Sequence, residues 1–371
     1  LRKSRVLVKT VVVWLLLWTL AFPAAAAEGL PAALSVEEAV RYALGNNQDL
    51  ALARLALEKD RVALTEAEFA ADDIEEDWVT SLDYALVKYV ASRKAQADVK
   101  SAEQKVDFLE RSLRLMVEQA YYETQKAAKA RDLAKEALDR AVTQGEQAAA
   151  HVKAGTVAKN DLLAAEVDVV AKATELTSAE NEYQQSKWAF LRVLGLPLDY
   201  QVELADQPVF SEFDGAGEQE AYLRALDSQP EVVAAREGLA VAEANFAQVK
   251  RFYTPNVFKY KQAQYDVQAA GILLDKLSDE LELKVKTSYQ NLALARANYQ
   301  AYQKALDLAR ENLRLAGVRY QAGITTRLEV RDAALALTQI EVKATEALHL
   351  YRVTRAQLEA GVFFLQAGQT Q

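Results

Sequence analysis

The chain has no cysteine, one methionine, two histidines and only six prolines among its 371 residues. Without cysteine it has no disulfide, no thiolate nucleophile, no thiolate metal ligand and no cysteine for an N-terminal lipid. His151 and His349 stand far apart, and no Gly-rich phosphate loop or His/carboxylate grouping at metal-ligand spacing appears. The expectation is a protein that is not an enzyme and holds no metal and no cofactor. Proline is absent between Pro31 and Pro197 and again after Pro255. Because proline breaks a helix interior, those gaps leave room for very long helices.

Ala, Leu, Glu, Lys, Arg and Gln dominate, the composition of coiled coils and long helices. A single helix from Arg93 to Val152 would span roughly 90 Å at about 1.5 Å per residue, far longer than an ordinary domain helix. The net charge is −9. Arg2, Lys3, Arg5 and Lys9, an apolar run from Val11 to Phe22 and the small-residue stretch Pro23–Ala27 form the three parts of a cleaved signal peptide over residues 1–27. Counted generously, Val6–Ala27 also approaches the roughly 20 residues of an uncleaved anchor. Cleavage after Ala27 would remove four cations and no anions, taking −9 to −13. So acidic a chain argues against a nucleic-acid partner.

The sequence is organised around one unit that occurs twice: a long helix, a tip, and a long helix running back. After a tip centred on Gly155, Leu162, Val169, Leu176, Tyr183 and Phe190 recur every seven residues. After a tip centred on Gly323, Val330, Leu337, Ala344, Tyr351 and Leu358 do the same, each 168 positions later. Before the second tip, Val285, Leu292, Tyr299, Leu306, Leu313 and Tyr320 keep the same seven-residue step. A strict seven-residue repeat holds one seam against a neighbouring helix and produces a left-handed supercoil. The predicted fold is therefore mainly all-α, built of duplicated, long antiparallel coiled-coil hairpins with minimal β-structure.

The duplication extends outward. Ser35 to Glu38 reads as a capping box opening a first helix, and Gly45-Asn46-Asn47 interrupts it. Leu50, Leu57, Leu64 and Ala71 follow at heptad spacing, matched by Val232, Leu239, Phe246 and Tyr253 at an offset of 182. The offset falls from 182 to 168 between Ala71 and Val99, so the second copy is 14 residues shorter at one variable turn. Repeats in phase over five helices are a strong architectural signal. The boundaries expected are a first repeat over 28–197, a linker over 198–217 in which Gln201–Leu204 alternates as a short strand does, a second repeat over 218–362, and a frayed tail over 363–371.

With these residues in hand, the chain resembles the TolC family of outer-membrane efflux proteins over nearly its whole length. The resemblance rests on Ser35-Val36-Glu37-Glu38-Ala39-Val40 running into Asn46-Asn47, on Val193-Leu194-Gly195-Leu196-Pro197, and on the two tips in their order. It implies a homotrimeric helical barrel whose tips meet a periplasmic adaptor linked to an inner-membrane pump. The chain would then be exported to the outer membrane or the periplasm as a passive efflux or secretion conduit. By the same resemblance Tyr320, Glu329, Asp332 and Asp161 fall at the constriction. Ala154, Gly155, Thr156 and Val157, with Ala322, Gly323, Ile324 and Thr325, form the adaptor-docking tips. Read without the resemblance, Thr326 to Glu329 is a capping box, Asp161 an acid in a first helical turn, and both glycines are helix terminators.

One departure stands out. Family members insert two membrane strands at each variable turn, and two such strands need roughly 9–11 residues each plus a loop. The first turn offers Asp72 to Ala91 and carries the acidic run Asp72–Asp77; the second offers little more than Thr254 to Tyr260. These lengths cannot build the family barrel. The alternative reading is a barrel-less envelope scaffold that binds partners without conducting. The second turn carries Lys250, Arg251, Lys259 and Lys261 among aromatics, which suggests either acid-to-base contacts between the turns of neighbouring subunits or contact with a membrane interface.

Overall fold

The computed structural model describes residues 33–155 and 158–365. Residues 1–27, read above as a signal peptide, lie outside the described residues. A two-residue strand β1 (Ala33–Leu34) leads into α1 (Val36–Asn46) and α2 (Gln48–Asp72). A short turn returns through α3 (Leu82–Leu86), a π-helical stretch at Val87–Ala91 and α4 (Ser92–Lys153), which follow one another without a break. That continuous rod is roughly 110 Å long at about 1.5 Å per residue. Beyond the first tip, α5 (Lys159–Leu194) runs back to β2 (Glu203–Leu204). The second copy comprises α6 (Glu218–Ser228), α7 (Pro230–Phe252), α8 (Phe258–Gln321) and α9 (Arg327–Ala360).

The duplication holds to the residue. Helices α1 and α6 begin and end 182 positions apart, while α4 and α8 end, and α5 and α9 begin, 168 apart. Local chemistry explains the boundaries. Ser35 caps α1 in a full capping box with Glu38, and Asn47 both ends α1 and caps α2 through the Leu50 amide. In the second copy the corresponding break is helped by Pro230 at the first turn of α7, where a missing N–H costs nothing.

At the tip end the helices lie side by side in the order α5, α4, α9, α8; at the turn end the order is α2, α4, α7, α8. Between them sits a middle zone. There β1 pairs in parallel with β2, and Leu34, Val117, Tyr121, Phe190 and Leu194 form the base of the first repeat. Val232, Leu281, Val285, Tyr351 and Phe363 form the base of the second. The tail expected to fray from Phe363 does not start there: Val362 and Phe363 are buried, and Phe364 meets Phe108 edge-on. Gly361, in a left-handed conformation, reverses the chain and folds those side chains back onto the core.

The variable turns contain no strand among the described residues, in line with the length argument. Within one chain the two turns meet through a cation over an aromatic ring. Glu76 accepts from Tyr89 and approaches Lys88, while Arg251 lies over the Tyr89 ring. Among the described residues no helix is long and apolar enough to cross a membrane.

The outermost helices carry a second apolar stripe. On α2, Leu55, Val62 and Phe69 are 66–77% exposed, seven residues apart and two before the inward seam of Leu57, Leu64 and Ala71. On α8, Phe258, Tyr265 and Ile272 are 64–90% exposed, again seven apart, and Leu294 and Leu308 continue the exposed face, each two residues after a buried leucine. Two residues are about 200° round a helix, so these stripes face away from the chain's own core.

Candidate functional site at the hairpin tips

Each tip is built by a glycine. Helix α8 ends with Gly323 at φ +71°, its amide bonded to the Tyr320 carbonyl at 2.9 Å and the Ile324 amide to the Arg319 carbonyl at 2.9 Å. Those two bonds are a Schellman closure, which satisfies carbonyls that a helix end would otherwise leave open. Gly155 has the same φ, and its amide bonds the Val152 carbonyl at 3.0 Å. Thr156 and Val157, assigned above to adaptor docking, lie outside the described residues. Ala154, Ala322, Gly323 and Ile324 are exposed and Thr325 half-buried, so the second tip presents a small-residue surface with one large apolar side chain, Ile324.

Two of the tip acids, Glu329 and Asp332, take local partners. Thr326 caps α9 by accepting from the Glu329 amide, and Glu329 accepts from the Thr325 hydroxyl rather than closing the box on Thr326. Asp161 sits in the first turn of α5, its amide bonded to the Ala158 carbonyl at 3.0 Å. Asp332 is exposed, with Arg331 of its own helix at 3.7 Å, and Tyr320 is half-buried. Within one chain no described hydrogen bond or ion pair joins Asp161 to Glu329 or Asp332. Glu329 thus bonds at the start of α9 through both its amide and its carboxylate, while the start of α5 has no side-chain cap bond.

The residues that tie the two hairpins together were not singled out from the sequence. Helix α4 lays Phe108, Leu115 and Tyr122 against α9, where Ala356 and Ala360 are small enough to let the helices approach. Beside that stripe runs a polar one, again at seven-residue spacing. Arg111 donates to the carbonyls of Ala360, Gly361 and Ser228. Glu118 follows, and Gln125 accepts from Arg352 at 2.7 Å. Lower down, Arg140 donates to Thr338 at 2.8 Å. Arg352 also lies 3.8 Å above the Tyr122 ring. The heptad spacing of Arg111, Glu118 and Gln125 was legible; which helix they would face was not.

No protein-family model matches the chain, and no curated protein matches it in sequence. Solved structures do match. The outer-membrane channel OprN has a TM-score of 0.72 at 17% identity, with 89% of this chain and 90% of that one covered. The CmeC outer-membrane channel of Campylobacter jejuni gives 0.68 at 14% identity over 90% and 87%. The MtrE outer-membrane channel of Neisseria gonorrhoeae, in its open state, gives 0.66 at 17% over 88% and 88%. The chain has the fold of TolC-type outer-membrane channels, a helical-barrel unit.

Proposed function

We propose that the chain is the subunit of a TolC-like efflux or secretion conduit. Three copies close into a helical barrel, exported to the outer membrane or the periplasm. An adaptor at Ala154–Val157 and Ala322–Thr325 moves the hairpins, an inner-membrane pump supplies the energy, and Asp332 and Glu329 line the constriction with Tyr320 beside them. The observation that carries this reading is the pair of outward apolar stripes. One edge of the subunit offers Leu55, Val62 and Phe69 on α2, and the other offers Phe258, Tyr265 and Ile272 on α8. Two unlike edges of one molecule, each ready for a coiled-coil partner, are what a head-to-tail ring requires. Exposed apolar rows on both edges have no use in a monomer.

The strand-free turns favour a second reading, the barrel-less envelope scaffold. One experiment separates the two. The chain lacking residues 1–27 is sized by light scattering with and without detergent. A trimer without detergent supports a tube with no inserted barrel, and a trimer only in detergent places the turns in a membrane. A monomer under both conditions removes the conduit and leaves the scaffold. Val62→Lys and Ile272→Lys, on opposite edges, should each dissociate the trimer while circular dichroism keeps the helical signal.

A further inference from the structure

The two repeats begin alike except in one respect: the first has a strand seated at its start and the second does not. In the first repeat β2 lies parallel to β1, with Ala33 opposite Glu203 and Leu34 opposite Leu204. Two further bonds extend that ladder. The Ala205 amide donates to the Leu34 carbonyl at 3.0 Å, and the Asp206 amide donates to the Tyr121 hydroxyl at 3.0 Å. The Asp206 carboxylate then accepts the Val36 amide at 2.7 Å, at the start of α1. One extended segment is thus held by β1, by the first turn of α1 and by Tyr121 of α4.

Carried 182 positions on, β1 becomes Gly215–Ala216, Ser35 becomes Gly217 and Val36 becomes Glu218; carried 168 on, Tyr121 becomes Tyr289. The Tyr289 hydroxyl still donates to the Ala216 carbonyl at 2.5 Å. Among the described residues, however, no strand pairs with Gly215–Ala216, no amide donates to Tyr289, and α6 starts at Gly217 without a side-chain cap. Burial follows the same division. Leu34, Ala39 and Tyr121 are 0% exposed, whereas their counterparts Ala216, Ala221 and Tyr289 are half-buried. Those three line a cavity of about 710 Å³, which Leu358, Phe363 and Arg111 also line. Ligand sites span roughly 300–1,000 Å³. A Cβ on Gly215 would collide with the Phe213 ring, so that ring closes one face of the segment and not the edge at which a strand pairs.

We propose that Gly215–Ala216 and this cavity form a seat for an extended peptide segment of another protein, added as a parallel strand in the way β2 adds to β1. The first repeat defines the chemistry of the occupant. It has apolar side chains at the positions of Val202 and Leu204, and an aspartate two residues after Leu204 whose carboxylate meets the open amides at the start of α6. Main-chain bonds supply affinity in such strand additions, and alternate side chains supply the choice of partner. The helix dipole favours the carboxylate as well. Asp214 and Glu359 also line the cavity, so the occupant's other positions are neutral or basic. Residues 366–371, Gln-Ala-Gly-Gln-Thr-Gln, hold no acid and no large apolar side chain and do not match that pattern. The inference concerns one chain and stands whether or not the ring of the preceding section forms.

The probe is a fluorescein-labelled peptide with the sequence of residues 200–207 carrying Glu203→Gln, added to the full chain. Fluorescence anisotropy should show saturable binding well below about 1 mM. Asp206→Asn within the peptide should weaken it by about tenfold or more, the effect of losing a hydrogen bond to a charged group. Ala221→Trp in the chain fills the cavity and should abolish binding while circular dichroism keeps the helical signal. Hydrogen exchange locates the peptide: the amides of residues 215–220 should slow, and those of residues 33–38 should not change. The peptide variant and the exchange map give an answer even where Ala221→Trp unfolds the chain. Absence of saturable binding up to about 1 mM overturns the proposal, including the case in which the chain's own residues fill the seat. Equal affinity for the Asp206→Asn peptide, or binding that survives Ala221→Trp, overturns it too. So does slowed exchange at residues 33–38, which would mean that the peptide had displaced β2.

Discussion

Tyr121 and Tyr289 stand 168 positions apart and do the same thing. The Tyr121 hydroxyl donates to the carbonyl of Leu34 at 3.0 Å, and the Tyr289 hydroxyl donates to the carbonyl of Ala216 at 2.5 Å. Leu34 and Ala216 are themselves 182 apart, each two residues before a repeat's first helix. The duplication thus preserved a tertiary hydrogen bond across its shortened turn, pinning the start of each repeat to its own long helix. The two sites differ in one respect: Tyr121 is fully buried and also accepts the amide of Asp206 at 3.0 Å.

Tyr121→Phe leaves the half-buried Asp206 amide without its hydroxyl partner and the buried Leu34 carbonyl with the Ala205 amide alone, and should cost about 1–3 kcal/mol in denaturant unfolding. Tyr289→Phe, at a half-buried site where water can substitute, should cost less. Equal losses would contradict the burial difference.

At the tip, Gly323→Ala should destabilise by roughly 1–2 kcal/mol, because a Cβ is strained in the left-handed region. Nothing lies within 4 Å of the added atom, so the cost is conformational alone. Gly317, six residues earlier within α8, also has open space but ordinary helical dihedrals. Gly317→Ala should therefore stabilise by roughly 0.5–1 kcal/mol. Opposite signs in thermal unfolding of the two variants are the expected result.

Phe363→Ala should cost about 3–5 kcal/mol, as for other buried aromatics truncated in a core. A frayed tail would make the substitution silent in urea unfolding.

The first helix has its own pH dependence. The Ser35 hydroxyl and amide, both donating to Glu38, hold its carboxyl below the ordinary value. For a depressed carboxyl, the cap's contribution is present above 4.5 and is lost as pH falls through the folded value. Carboxyl chemical shifts should show Glu38 titrating below the ordinary range, and Ser35→Ala should return it upward.

Periodicity alone determined much of this protein. Seven-residue spacing, the two offsets, proline-free stretches and the glycines at 155 and 323 specify two long antiparallel hairpins with tips where they are found. These are local rules: a helix's inward stripe follows from which residues are apolar, and its end from where a left-handed residue is available. The short turns were legible for the same reason, since a strand that spans a membrane needs a minimum length.

What the sequence could not decide was which helix each further stripe faces. Arg111, Glu118 and Gln125 on α4 have the spacing of any solvated heptad face, and only the placement of α9 beside α4 makes them a seam. Leu55, Val62 and Phe69 look like core until the inward row two residues later takes that role. The acid and base runs of the turns are plain in the sequence, but that Arg251 lies over the Tyr89 ring follows only from the placement of α7 beside the first turn. Nor did composition reveal that Phe363 belongs to the core, because burial there depends on Gly361 turning the chain back. A helical pattern fixes direction only about its own axis; the neighbour that fills that direction is chosen by tertiary packing.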